Sequence, residues 1–252
     1  QGNYSGSIKF ANILYESTND KKEKFSILSF LCNSFIATGQ LNIAKNLIKQ
    51  IKINSPSNIE LEIKGHLLKL EGHLLFNAEK WSKADTLYKE SYDILKSINS
   101  KYCNEVLFYI YATILLSNQF DNKILLDKEK KLINDEYKIL IHCLELIIKD
   151  SQNNKTIVRD VNKLENIQIR AYAYWLLSKY YGNNNKVNES YEYETKAQKT
   201  LKSSSYNLSD RFLREQFMKN LILHRKILSE TSVQIDDLIE VSDSIEENNI
   251  QG

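Results

Sequence analysis

Four histidines, three cysteines and a few paired carboxylates are the residues of this 252-residue chain with obvious chemical potential. Metal binding on a helix calls for ligands three or four residues apart, so that both project from one turn. His66 and His73 are seven apart, two turns distant along the axis, and His142 adjoins Cys143, a neighbour that points elsewhere on a helix. Cys32, Cys103 and Cys143 are odd in number and widely spaced, which fits neither a zinc site nor a disulfide framework. They read as free thiols of a reducing compartment. A phosphate loop needs glycines around a Lys-Ser/Thr pair, and Gly39, Gly65, Gly72 and Gly182 flank none. Glu60/Glu62 and Asp236/Asp237 read as solvated helix faces, and no Ser or Cys has a base close by in sequence. The expectation is a protein that is not an enzyme and holds no cofactor and no metal.

Composition narrows the partners. A formal net charge of +2 gives no global field to recruit nucleic acid. No signal peptide, transit peptide or apolar run of membrane-spanning length is present, so the expected location is cytoplasmic. Charge is uneven, however. Beyond Lys226 the chain has no basic residue, and Glu230, Asp236, Asp237, Glu240, Asp243, Glu246 and Glu247 read as one face of a solvated helix.

Seven Gly and one Pro are too few to turn a chain of short strands. Helical periodicity runs nearly throughout and predicts helices over 6–18, 22–38, 41–53, 57–78, 81–98, 103–118, 127–150, 156–182, 186–203, 208–230 and 234–248. Pro56 suits the first turn of a helix capped by Ser55. Most joints are short, so successive helices must pack antiparallel. The expected fold class is all-α, an antiparallel helix-pair solenoid of about eleven helices.

Small residues recur in register. Cys32, Gly72 and Ser178 lie mid-helix, followed twelve residues on by Ala44, Ala84 and Ser190, and seven beyond those by Ile51, Ser91 and Ala197. Phe35, Leu75 and Tyr181 stand three after each start, and Leu41, Trp81 and Val187 three before each second small position. Ala112 opens a degenerate fourth unit, stretched by "QFDNKILLDKEKK". This register resembles the tetratricopeptide (TPR) repeat, a helix–turn–helix unit of thirty-four residues. Gly72, Leu75, Trp81, Ala84, Tyr88 and Ser91 carry the resemblance best. The chain departs from it in the larger Ile51, in Ser190 for Ala, in Glu194 for an aromatic, and in forty residues from Ala44 to Ala84. The resemblance implies a right-handed superhelix with a concave groove lined by the first helix of each unit.

Groove positions carried over in this way are Ser29, Asn33 and Ile36, then Lys69, His73, Phe76 and Asn77, then Tyr109, Thr113 and Leu116, then Tyr172, Trp175 and Lys179. The expected peptide-binding residues are Asn33, Lys69, His73, Asn77, Tyr109, Thr113, Tyr172, Trp175 and Lys179. Aromatics beside Lys and Asn suit an extended peptide, because amides bond its backbone and flat rings cover its side chains. The competing reading is that Phe76, Tyr109 and Trp175 simply fill core between helices. A chaperone-type carboxylate clamp has Lys four residues before Asn, and here Ser29 precedes Asn33, so that ligand is not expected. A second resemblance covers Arg211, Phe212, Leu213 and Arg225, followed by Ile235, Leu238, Ile239 and Ile245. It is similar to the segment that closes TPR-like regions in bacterial multidomain regulators and implies a linker toward a further domain.

The expected organisation is a TPR-like domain over 1–207 and capping helices or linker over 208–252. The expected function is binding of a protein or peptide ligand, as the regulatory segment of a larger bacterial signalling protein. A peptide-sensing transcriptional regulator is a variant of that reading, although the first twenty residues are too short for an output region. A self-associating, homo-oligomeric scaffold is the alternative from another class, and a catalytic helical domain is third. All rest on small residues marking where paired helices cross, with axes about 8–10 Å apart. Ala84→Leu should therefore overpack the crossing and cost about 1–3 kcal/mol, read from urea denaturation. A variant with the wild-type midpoint would show that the helices are not paired this way.

Overall fold

The joints between helices share one backbone device. At Gly39, Glu79 and Asn185, each seven residues after the start of a unit, φ is +77°, +57° and +58°. This left-handed residue lets its own amide and the next turn back on the helix just ended. Gly39 N–H donates to Ile36 O and Gln40 N–H to Phe35 O. Glu79 and Lys80 do the same to Phe76 and Leu75, as do Asn185 and Lys186 to Gly182 and Tyr181. The second helix then begins identically each time, with Ala44, Ala84 and Ser190 donating to Gln40, Lys80 and Lys186. Three units spread along the chain are thus built on one turn.

In this computed structural model, residues 4–54, 60–117, 136–149, 155–208 and 210–228 are described. Among them the chain forms twelve helices and no strand, an all-α fold. They are α1 (Tyr4–Ser17), α2 (Lys21–Ala37), α3 (Leu41–Asn54), α4 (Leu61–Asn77), α5 (Trp81–Ser97) and α6 (Cys103–Leu116). There follow α7 (Glu136–Lys149), α8 (Lys155–Asn162), α9 (Ile167–Asn183), α10 (Val187–Ser205), α11 (Arg211–Lys219) and α12 (Ile222–Leu228). Neighbours pack as pairs, α2 on α3, α4 on α5, α6 on α7 and α9 on α10. Successive pairs meet through α3–α4, α5–α6 and α7–α9. No helix among the described residues is long and apolar enough to cross a membrane.

Small residues sit where the paired helices touch. A Cβ on Gly72 would lie 2.6 Å from the Tyr88 ring, and one on Gly65 would lie 2.8 Å from Leu95, both on α5. Ala84 is fully buried in the same α4–α5 core, although it is Tyr88, one turn further on, that fills the space Gly72 leaves. Ser91 donates to the Gly65 carbonyl at 2.7 Å. In the first pair the Cys32 thiol donates to Ala44 O, and in the last Ser190 Oγ donates to Ser178 O at 2.9 Å. The register read from the sequence is a register of helix contacts.

Two expected helices are each divided. The segment expected as 156–182 breaks after Asn162. Asn166 Oδ1 caps α9 by accepting from Gln168 N and Ile169 N, while its own N–H donates to Glu136 Oε1. Neither Gly nor Pro marks this break; the capping asparagine does. The segment expected as 208–230 breaks at Asn220-Leu221, and Asp210 caps α11 through Phe212 N and Leu213 N. The Ser55-Pro56 helix start, the "QFDNKILLDKEKK" insertion and the helix at 234–248 lie outside the described residues, as does 127–135 of the helix expected from 127.

The break at Asn220 lets α11 and α12 return to the first two units. Asn220 Nδ2 donates to Gly39 O, 181 residues away, and Ile222 N–H donates to Asn77 Oδ1 at 3.0 Å. Arg225 pairs with Glu79 at 2.8 Å, so two of the left-handed turns are gripped from the C-terminal side. At Gly39 both the positive φ and the close approach exclude a side chain. A Cβ there would meet the Gln216 carbonyl oxygen of α11 at 2.4 Å. Gly39→Ala should cost about 2–4 kcal/mol, summing left-handed strain and overpacking against backbone. An unchanged urea midpoint would mean that α11 does not seat on this turn.

Candidate binding chamber

The first helices of the pairs, α2, α4, α6 and α9, border a half-open chamber of about 410 Å³. Leu221 and Leu223 close it at the start of α12, and Ser204 and Asn207 at the end of α10. Its walls mix rings (Phe30, Phe76, Tyr109, Tyr137 and Tyr172) with amides (Asn33, Asn77, Asn166 and Gln168). Polar and apolar surface are about equal in this lining, so it offers flat rings and hydrogen-bonding groups side by side, a combination that can hold a ligand.

One wall carries a buried polar chain that begins at the helix crossing. Because Gly72 has no Cβ, the Tyr88 ring lies against α4, and its hydroxyl reaches His73 Nδ1 at 2.7 Å. His73 Nε2 stands 3.3 Å from Glu105 Oε1, and Lys69 Nζ 2.6 Å from Glu105 Oε2. Burial pushes the Glu105 carboxyl up, but the Lys69 charge and the His73 hydrogen bond outweigh it, and Glu105 ends well below the usual carboxylate range. Burial holds His73 below its ordinary value despite Glu105, so the ring is neutral at pH 7. An ionised carboxylate only accepts, so Nε2 carries the proton toward Glu105 and Nδ1 accepts from Tyr88. Burial also raises the Tyr88 phenol, which stays a donor.

A second chain joins α9 to the C-terminal helices. His224 Nδ1–H donates to Phe217 O at 2.6 Å, which leaves Nε2 to accept from the Tyr172 hydroxyl at 2.8 Å. Tyr172 in turn accepts from Gln168 Nε2 at 2.7 Å. Burial pushes His224 down to about 3, and with it His66, whose ring stacks on Tyr102 at 4.3 Å. Both ring nitrogens of His73 and of His224 are therefore occupied. Burial raises the Cys32 and Cys143 thiols to about 12, which keeps them protonated at neutral pH. Among the described residues no three His, Cys, Asp or Glu side chains gather as a metal-holding group.

Of the nine residues expected from the sequence, the structure brings Asn33, His73, Asn77, Tyr109 and Tyr172 to the chamber. The other four stand elsewhere. Lys69 is fully buried behind the wall on Glu105. Thr113 is buried and donates back to Tyr109 O. Trp175 lies in the core with Nε1 unpartnered, and Lys179 is exposed, its Nζ 5.8 Å from the Trp175 ring. Ile36 and Phe76 also line the chamber, whereas Ser29 is buried outside it. Sequence reasoning missed Glu105, Asn166, Gln168 and the α12 residues. Glu105 was within reach, since it precedes Tyr109 by one helical turn on the same face. Leu221 and Leu223 had no local signal.

No family model matches the chain, and no curated protein or solved structure matches it.

The neutral histidines set the response to acid. His73 and His224 bind a proton in the unfolded chain near pH 6.5 but not in the fold, so unfolding takes up protons below that pH. Stability then falls as pH drops from about 6.5, by about 2 kcal/mol at pH 5 for His224, with His73 adding a loss of the same sign. Below about 4.5 the depressed Glu105 adds a loss of the same sign. Urea denaturation at pH 7, 6 and 5 should show this decline, shallower in His224→Gln; a flat profile would contradict buried neutral rings.

Proposed function

We propose that the chain is a TPR-like module that performs no catalysis and holds a peptide or protein segment in the chamber. One observation carries this reading: Asn33, His73, Asn77, Tyr109 and Tyr172, on the first helices of four successive pairs, line one half-open chamber. The shared left-handed turns and the small-residue contacts support the repeat, and a right-handed superhelix is the arrangement it implies. Rings and amides on rigid helices are preorganised for an extended chain, which lowers the ordering cost of binding. Three free thiols agree with a reducing, cytoplasmic setting. The finer proposal, a regulatory segment of a bacterial signalling protein, is supported by Arg211, Phe212 and Leu213 at the start of α11.

Self-association keeps one favourable observation. Phe10, Ile13 and Leu14 form an exposed apolar stripe on α1, with Phe10 63% accessible, where an end unit of a solenoid ordinarily presents polar residues. The chamber accounts for more of the molecule, so peptide binding is preferred.

Selection of a displayed random-peptide library on the full chain tests it. Selected peptides should lose at least tenfold in affinity against Asn33→Ala or Gln168→Ala, both on the chamber wall, and keep it against Lys179→Ala. Peptides that respond to Lys179→Ala alone, or a selection that enriches nothing, would reject the chamber as the site.

A further inference from the structure

We infer that the chamber accepts an uncharged interior stretch of peptide and turns away segments that bring a carboxylate or phosphate into it. The inference rests on the peptide reading above and narrows it. Among the described residues lining the chamber, Glu105 is the one ionised side chain, and no Lys or Arg is among them. Lys69, the nearby cation, is fully buried and points its charge into Glu105 Oε2 at 2.6 Å. His73 supplies no charge, because its ring is neutral and both nitrogens are occupied. An anion entering this space loses its hydration, meets a fixed carboxylate and finds no compensating cation.

What the walls offer instead matches a neutral backbone. A carboxylate has about four lone-pair sites, and Lys69 and His73 use two of those on Glu105, so it retains acceptor capacity for an N–H donor. Asn77 already demonstrates main-chain recognition on this wall, since its Oδ1 takes the N–H of Ile222 from the chain's own α12. Phe30, Tyr109 and Tyr137 provide flat surface for apolar side chains. A volume of about 410 Å³ suits a short stretch rather than a folded element.

Three heptapeptide pools randomised over Ala, Leu, Ile, Phe, Tyr, Asn, Gln and Ser provide the probe. One is acetylated and amidated, one has a free C-terminal carboxylate, and one is capped but carries a single Asp. Retention on the immobilised chain is read by mass spectrometry. The capped neutral pool should be retained, and both acidic pools should be depleted at least tenfold relative to it. Equal or better retention of an acidic pool overturns the inference while leaving peptide binding intact; retention of no pool removes the peptide reading and the inference with it. Glu105→Gln alone leaves the Lys69 charge unpaired and should invert the preference. Because that variant can fail to fold, Lys69→Met/Glu105→Gln, which removes both charges, is the companion, with folding checked by circular dichroism. It should bring the pools to within about threefold of one another, and discrimination that survives unchanged would refute Glu105 as its source.

Discussion

The absence of one methyl group, at Gly72, is the constraint on which the wall of the chamber depends. Glycine within a helix costs about 1 kcal/mol relative to alanine. Here that cost is offset by laying a fully buried tyrosine ring flat against α4. The ring then does more than fill space. Its hydroxyl donates to His73, the ionised Glu105 sets the tautomer of that ring, and Glu105 holds Lys69 in a place where water cannot reach it. Helix packing and site chemistry are therefore one feature: the residue that allows α4 and α5 to approach also sets the polarity of the cavity beyond them.

The C-terminal helices supply the second constraint. A stack of helix pairs is held only by neighbours, so its ends are free to splay. Here α11 and α12 reach across to the first two units and bond to their turns and to the last residue of α4. That choice has a reason. A left-handed turn leaves carbonyls and a charged side chain outward, and Asn220 and Arg225 meet them at Gly39 and Glu79. Glu79 is the least expected residue in such a backbone conformation, and its ion pair with the buried Arg225 offers a compensation that the turn alone lacks. These contacts seat the start of α12 beside the chamber, with Leu221 and Leu223 on its wall.

Features set by local spacing were legible in the sequence. The all-α class, the joints at Gly39, Glu79 and Asn185, and the contact register of Cys32, Gly72 and Ser178 follow from periodicity and residue size alone. The breaks at Lys163–Glu165 and Asn220 were not legible, because a capping asparagine within a periodic run looks like any other polar residue of a solvated face. For the chamber, the stripe formed by His73, Phe76 and Asn77 on α4 could be read, as could Tyr109 and Tyr172. Trp175 and Thr113 were misplaced for a common reason. Helical spacing says which residues share a stripe, but which edge of the stripe faces the cavity depends on how neighbouring helices are rotated. Residues brought by α12 come from 145 residues away and answer to no local pattern.

Under the peptide-binding proposal, the buried ion pair bears on specificity more than on stability. Breaking either side of such a pair costs about 3–5 kcal/mol, whereas replacing both partners with apolar residues is often neutral. Lys69 and Glu105 thus add little that two well-packed side chains could not, and their presence calls for another explanation. Proton counting provides one. Along Tyr88, His73, Glu105 and Lys69 every donor is directed inward, toward Glu105 or the link before it, so the chain ends on an acceptor at the chamber surface. Whatever approaches that point must donate. An amide N–H does so without bringing charge, and a carboxylate cannot do so at neutral pH. The direction of the hydrogen bonds, set by an ionised Glu105 that can only accept, would under the proposed reading be itself a form of recognition.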